Sequence, residues 1–234
     1  MHEGHRDRLR ERFLSEGLDG FEPHNVLELL LFYTIPQKDT NEIAHRLINS
    51  FGSLKGVFDA PVDELTAISG ISKNGAVLIK MIPSICRLYM DHDGSGFVFD
   101  STEKSGEFLL NKYIGRTDEM VSIICMDNAC RFLNWDIISH GSVNAAAVNT
   151  RKIVEVALRY NATCIILAHN HPNGIAIPSM QDISTTNRLT ESLEAVGIHL
   201  LDHIVIGGND FISITDSKKH GKMISMENEI VEEK

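Results

Sequence analysis

The 234-residue chain is poor in cysteine, in aromatic residues and in basic charge, and it has no long apolar run. Each shortage removes a class of protein. Four cysteines, Cys86, Cys125, Cys130 and Cys164, are scattered without a Cys-x-x-Cys pair. Neither a disulfide framework nor a thiolate-bound structural zinc is expected, and the four read as reduced core residues. Lys and Arg number 22 against 32 Asp and Glu, a net charge of −10. Residues 1–90 carry 10 basic against 12 acidic residues, net −2, and residues 91–234 carry 12 against 20, net −8. Neither part has the basic excess of a protein that lives on phosphate backbones, although a local basic patch in the first is left open. The richest apolar stretch, VLELLLFYTI, is short and interrupted by Glu28, too little for a membrane span. The opening residues, MHEGHRDRLRERF, are charged where a secretion signal would be apolar, so a cytoplasmic protein is expected.

What is present is enough for a core. Apolar residues make up 43%, and the length allows one large or two small domains. Residues 1–90 read as a compact set of short helices. Apolar residues recur at helical spacing in NVLELLLFY, NEIAHRLINSF, VDELTAI and GAVLIKMIPSICRLY. Pro61 followed by Asp63 and Glu64 marks a helix start. Residues 91–102, DHDGSGFVFDST, break the pattern with two glycines and acidic residues, which predicts a linker. Beyond it the character changes to mixed α/β over 103–216. Strands are expected at MVSIICM, RFLNWDIIS, TCIILA, LLDHIVIGG and DFISIT, with helices near 103–114, 148–160 and 179–197. The polar tail, 217–234, shows no strong pattern.

One stretch carries chemistry: AHNHPNGIAIPSMQD, residues 168–182. Side chains two apart on a strand share a face, so His169 and His171 at the end of TCIILA can point together, with Asn170 pointing away. Ser179 and Asp182 lie three apart at a helix start and can face one side of its first turn. Two imidazoles and one carboxylate make a three-ligand set with an open fourth position, the pattern of catalytic zinc sites, where the metal lowers the pKa of water to about 7. Ser-x-x-Asp is equally a capping signature. The two readings are compatible, because a capping serine can still present its hydroxyl to a site.

The pattern HxH-x7-SxxD resembles the JAMM motif of JAB/MPN metalloprotease domains. With FGSLKGVF, AISGIS, GSVNAAAV, ALRYNATCIILAHNHPNG, PSMQD and LLDHIVIGG, the chain looks like the RadC family up to about residue 216. The resemblance implies a small all-helical, helix-hairpin-helix-like domain followed by a mixed α/β JAB/MPN domain, cytidine-deaminase-like in class. It implies Zn2+ held by His169, His171 and Asp182, Ser179 as the hydroxyl that steadies an oxyanion, and Glu119, just before MVSIICM, as general acid/base. Glu155, within KIVEVAL, is the competing acid. The activity implied is hydrolysis of peptide or isopeptide bonds in a protein or peptide substrate. The alternative is a DNA-associated repair-type module that binds DNA through residues 60–85, where LTAISGISKNGAVLIKM resembles a helix-hairpin-helix with Gly70 present, Ser72 in place of the second glycine, and Lys73 and Lys80 as cations. Two departures stand where substrate fit could change. Asn173 replaces the usual serine of HNHPSG, and VNTRK replaces VHPRE, which puts Asn149 and Lys152 where the family has His and Glu and keeps Arg151. His203, next to Asp202, reads either as a partner that orients the site or as half of a polar pair at a strand start. His140, and His2 and His5 on the Arg-rich first helix, read as surface residues.

Overall fold

The computed structural model describes residues 4–91, 94, 96–141, 149–172 and 174–219. His2, Asn173, most of GSVNAAAV, part of the expected linker and all of the tail beyond 219 lie outside the described residues. The chain divides into two compact units, Met1–Tyr89 and Met90–Lys234.

The first unit is helical: α1 (His5–Glu16), α2 (Pro23–Leu31), α3 (Asn41–Phe51), α4 (Leu54–Asp59), α5 (Val62–Ala67) and α6 (Lys73–Met90). The start and stop signals are local. Pro23 opens α2, the Ser53 hydroxyl accepts the Gly56 amide at the start of α4, and Gly52 ends α3 at φ 76°. Leu27, Leu31, Leu47, Val57, Leu65 and Ile79 come from five helices and form one core. The turn from α5 to α6 needs Gly70. Its φ is +99°, and a Cβ there would lie 2.7 Å from the Ile43 side chain. Lys80, one of the two cations expected to face DNA, donates its ammonium to the Phe58 and Asp59 carbonyls, so it ties α6 to α4. Cys86, expected in the core, is exposed on α6; all four cysteines are free thiols.

The second unit is a five-stranded sheet between helices. Its elements are α7 (Thr102–Tyr113), β1 (Met120–Met126), β2 (Phe132–His140), α8 (Thr150–Arg159), β3 (Cys164–Asn170), α9 (Met180–Glu194), β4 (His199–Gly207), β5 (Asp210–Ser213) and α10 (Ile214–Lys219). The strand order is β2-β1-β3-β4-β5, and only the β3–β4 pair is parallel. The period of two sorts the strands. Val121, Ile123, Ile165 and Leu167 pack with Ile153 and Val156 of α8 and Leu189 and Leu193 of α9. Met120, Ile124, Ile166, Ala168, Ile204 and Ile206 pack on the other face with Phe108, Leu109 and Tyr113 of α7. Burial on both faces explains why β1 and β3 are mostly apolar with no alternation of apolar and polar residues.

Two expectations are modified. Within the stretch expected to be a linker, Val98 bridges Arg131 and the Phe99 ring is buried against Phe108. The apolar Phe-Val-Phe triplet outweighs the flanking glycines. DFISIT is a strand only to Ser213. There the Ser213 hydroxyl accepts the Asp216 amide and buried Asp202 accepts the Thr215 amide, which turns the chain into α10. Among the described residues no helix is long and apolar enough to cross a membrane.

Candidate metal centre

β3 continues two residues past the TCIILA run, so His169 and Asn170 belong to the strand itself. Alternation puts His169 on the α9 face with Ile165 and Leu167, and His171 follows at the next odd position. α9 starts at the far side of the loop. Ser179 is its N-cap in a complete capping box: the Ser179 hydroxyl accepts the Asp182 amide at 3.2 Å, and Asp182 Oδ2 accepts the Ser179 amide at 2.7 Å and its hydroxyl at 2.6 Å. The loop comes back close to β4, at Gly207. A Cβ on Gly207 would lie 2.3 Å from the Ala176 nitrogen, so only glycine lets the loop lie there.

The three expected ligands converge. His169 Nε2 is 3.0 Å from His171 Nε2 and 3.3 Å from Asp182 Oδ1, and His171 Nε2 is 3.6 Å from Asp182 Oδ2. Ligand atoms of all three lie within 4.8 Å of one another. Their far sides decide the protons. His171 Nδ1 is 2.9 Å from the Ile175 carbonyl, which can only accept, so the proton sits on Nδ1 and the neutral ring turns a lone pair inward at Nε2. His169 Nδ1 is 2.8 Å from His203 Nε2. With its proton donated there, His169 also points a lone pair inward. Three electron-rich atoms then face one another, and a proton or a metal cation between them would relieve the repulsion.

In the metal-free protein a proton fills that place. The Asp182 carboxylate raises the His171 imidazolium above its ordinary 6.5, through a hydrogen bond that outweighs burial, and the charge of Glu119 adds to it. Burial pushes the Asp182 carboxyl up, but hydrogen bonds from His169, His171 and Ser179 and the His169 charge overcome it and hold the group ionised, well below the usual carboxylate range.

Glu119 stands outside the triad. Val121 pairs with His169 at the end of the antiparallel β1–β3 register, Glu119 lies two residues before Val121, and its charge is felt at the His171 ring. Asn170, expected only to point away, is what holds this segment. It is buried; its Oδ1 accepts the Met120 amide at 2.8 Å and its Nδ2 donates to the carbonyls of Arg116 and Asp118. The residue between the two histidines thus fixes the stretch that carries Glu119. Glu155 is exposed on α8 and pairs with Arg151 at 3.1 Å, away from the triad. His140 is exposed. Of the departures from the family pattern, Asn149 caps α8 by accepting the Lys152 amide, and Lys152 donates to the Ile137 and Ile138 carbonyls of β2, which anchors the helix to the sheet.

Residues 99–220 match the model of the RadC-like JAB domain, and residues 3–77 match the UPF0758 N-terminal model. This chain is a member of the UPF0758 family with a RadC-like JAB domain. A UPF0758 protein of Fusobacterium nucleatum is 37% identical over 224 residues, covering 92% of this chain and 96% of that one. UPF0758 proteins of Vibrio atlanticus and Carboxydothermus hydrogenoformans are 33% and 32% identical over 208 residues, each covering 88% of this chain and 93% and 92% of theirs. The family match covers both the helical unit and the unit that holds the triad.

Proposed function

We propose that the chain is a zinc-dependent hydrolase of peptide or isopeptide bonds, with His169, His171 and Asp182 as the metal ligands. The observation that carries this reading is the convergence of two imidazole nitrogens and a carboxylate at the end of β3. Two nitrogens and an oxygen, without sulfur, suit zinc and leave a coordination position for solvent and substrate. A zinc ion held there would act as a Lewis acid and lower the pKa of water to about 7.

The chain's own residues supply the rest. Glu119 takes a proton from the attacking water and returns it to the leaving nitrogen. Ser179 is exposed at the mouth of the site. Turned away from Asp182, its hydroxyl donates to the developing oxyanion, while the Ser179 amide keeps Asp182 in place. Asn170 holds the segment before β1 that carries Glu119. The DNA-associated alternative draws no support from Lys80, whose ammonium is bonded within the first unit.

The test compares zinc-loaded wild type and Glu119→Gln on a mixture of peptides and isopeptide-linked conjugates. Cleavage by the wild type is expected, with a loss of about 10²–10⁴-fold in the variant at unchanged zinc content. A fully zinc-loaded wild type that cleaves none of them contradicts the reading.

A further inference from the structure

We propose that His203 and Thr186 are positioning residues that fix the tautomer of His169 and tie it to Asp182. They would set metal affinity without touching the metal. The inference rests on the reading of His169, His171 and Asp182 as ligands.

The placement follows from topology. β3 and β4 are parallel neighbours, with Leu167 opposite His203 and His169 opposite Val205. Both histidines therefore emerge on the face covered by α9, where Thr186 lies one turn after Asp182. His169, His203 and Thr186 are all buried, with His203 2% exposed. Buried polar groups this close form a bonded chain. His169 Nδ1 is 2.8 Å from His203 Nε2, His203 Nδ1 is 2.6 Å from Thr186 Oγ1, and Thr186 Oγ1 is 2.6 Å from the Asp182 carbonyl oxygen.

With both rings neutral, the chain reads in one direction. Its last acceptor is a backbone carbonyl, which has no proton to give, so the single Thr186 hydroxyl proton goes to Asp182. The Thr186 oxygen must then accept, which places the His203 proton on Nδ1. Neutral His203 accepts at Nε2, so His169 donates from Nδ1. The His169 lone pair is left at Nε2, the atom that faces His171 and Asp182. Reversing His203 would set two lone pairs against each other at Thr186, and reversing His169 would put a proton where a ligand lone pair is needed. The chain also closes on itself: it leaves one ligand, His169, and ends on the backbone of another, Asp182, whose Oδ1 lies 3.3 Å from His169 Nε2. Partners of this kind, which orient a ligand through its second nitrogen, commonly tune metal affinity.

The test has two arms on the full chain. In the first, zinc affinity is measured by chelator competition for wild type, Thr186→Val and Thr186→Ser. Valine keeps the branched shape and removes both bonds; serine keeps the hydroxyl. Affinity should fall about 10–100-fold in the valine variant and return to within about threefold of wild type in the serine variant. In the second, long-range proton–nitrogen NMR of the imidazoles is read in the zinc-loaded wild type, which needs no variant to fold. His203 should carry its proton on Nδ1. A proton on His203 Nε2, or equal affinity in wild type and Thr186→Val, overturns the inference while the ligand reading stands. A wild type that binds no zinc overturns both.

Discussion

Each unit buries a carboxylate against histidine, and the two clusters are opposite in character. In the helical unit, Glu28 is 1% exposed, and each of its oxygens meets one donor: His5 Nε2 at 2.8 Å and Asn41 Nδ2 at 2.9 Å. Protons and lone pairs match there, and the cluster closes on itself. In the sheet unit, Asp182 is 3% exposed and shares its surroundings with two rings whose protons are drawn off to the far side by the Ile175 carbonyl and by His203. The inner nitrogens and the carboxylate are left to share a proton or a metal. A buried His–carboxylate contact is therefore no sign of a metal by itself. What distinguishes the second cluster is the direction in which its outer partners pull the protons.

Changes at the two clusters should separate cleanly. The largest effect is expected from Asp182→Ala, which removes a ligand and should weaken zinc binding by more than about 100-fold, beyond what the loss of an outer partner costs. Equilibrium dialysis against zinc measures it, with Glu28→Ala as the control that should bind as the wild type does. A smaller effect is expected on stability. Glu28→Ala leaves the Asn41 amide without its acceptor inside the helical unit, and urea unfolding should show a loss of about 1–3 kcal/mol with zinc content unchanged. If Glu28→Ala also lost zinc, the distinction between the clusters would fail. The smallest effect is the pH dependence. The folded-state pKa of His171 is raised, first by its bond to Asp182. In chelator-treated protein its contribution to stability is therefore complete below about 6.5 and is lost as pH rises through the raised value. Zinc binding has the opposite sign, because its ligands must be unprotonated. Melting temperatures measured from pH 6 to pH 8 should fall for the chelated protein, while the increment gained on adding zinc should grow.

Much of this was legible in the residues. The period of two placed His169 and His171 on one face, Ser-x-x-Asp placed a cap and a carboxylate on one turn, and the apolar spacing gave the helical unit. Local signals of that kind survive folding because the strand and the first turn of α9 are stiff. The outer partners were not legible. Thr186 and Asn170 gave no sign beyond being polar. His203 reaches His169 only because β4 lies parallel to β3, a neighbourhood set 34 residues away. Asn170 was seen to point away, but what it meets returns from 50 residues upstream. Phe99 and the end of β5 were misjudged for a related reason: Phe108 and Asp202, which decide them, are contacts across the fold.

The central claim is that three electron-rich atoms converge for a metal. Zinc K-edge X-ray absorption on the loaded wild-type protein tests it most directly. The account expects about one zinc per chain, with a first shell of nitrogen and oxygen at about 2.0–2.2 Å, two imidazoles among the scatterers and no sulfur. A sulfur shell, which would move the metal to one of the four cysteines, or the same spectrum from Asp182→Ala, would contradict it.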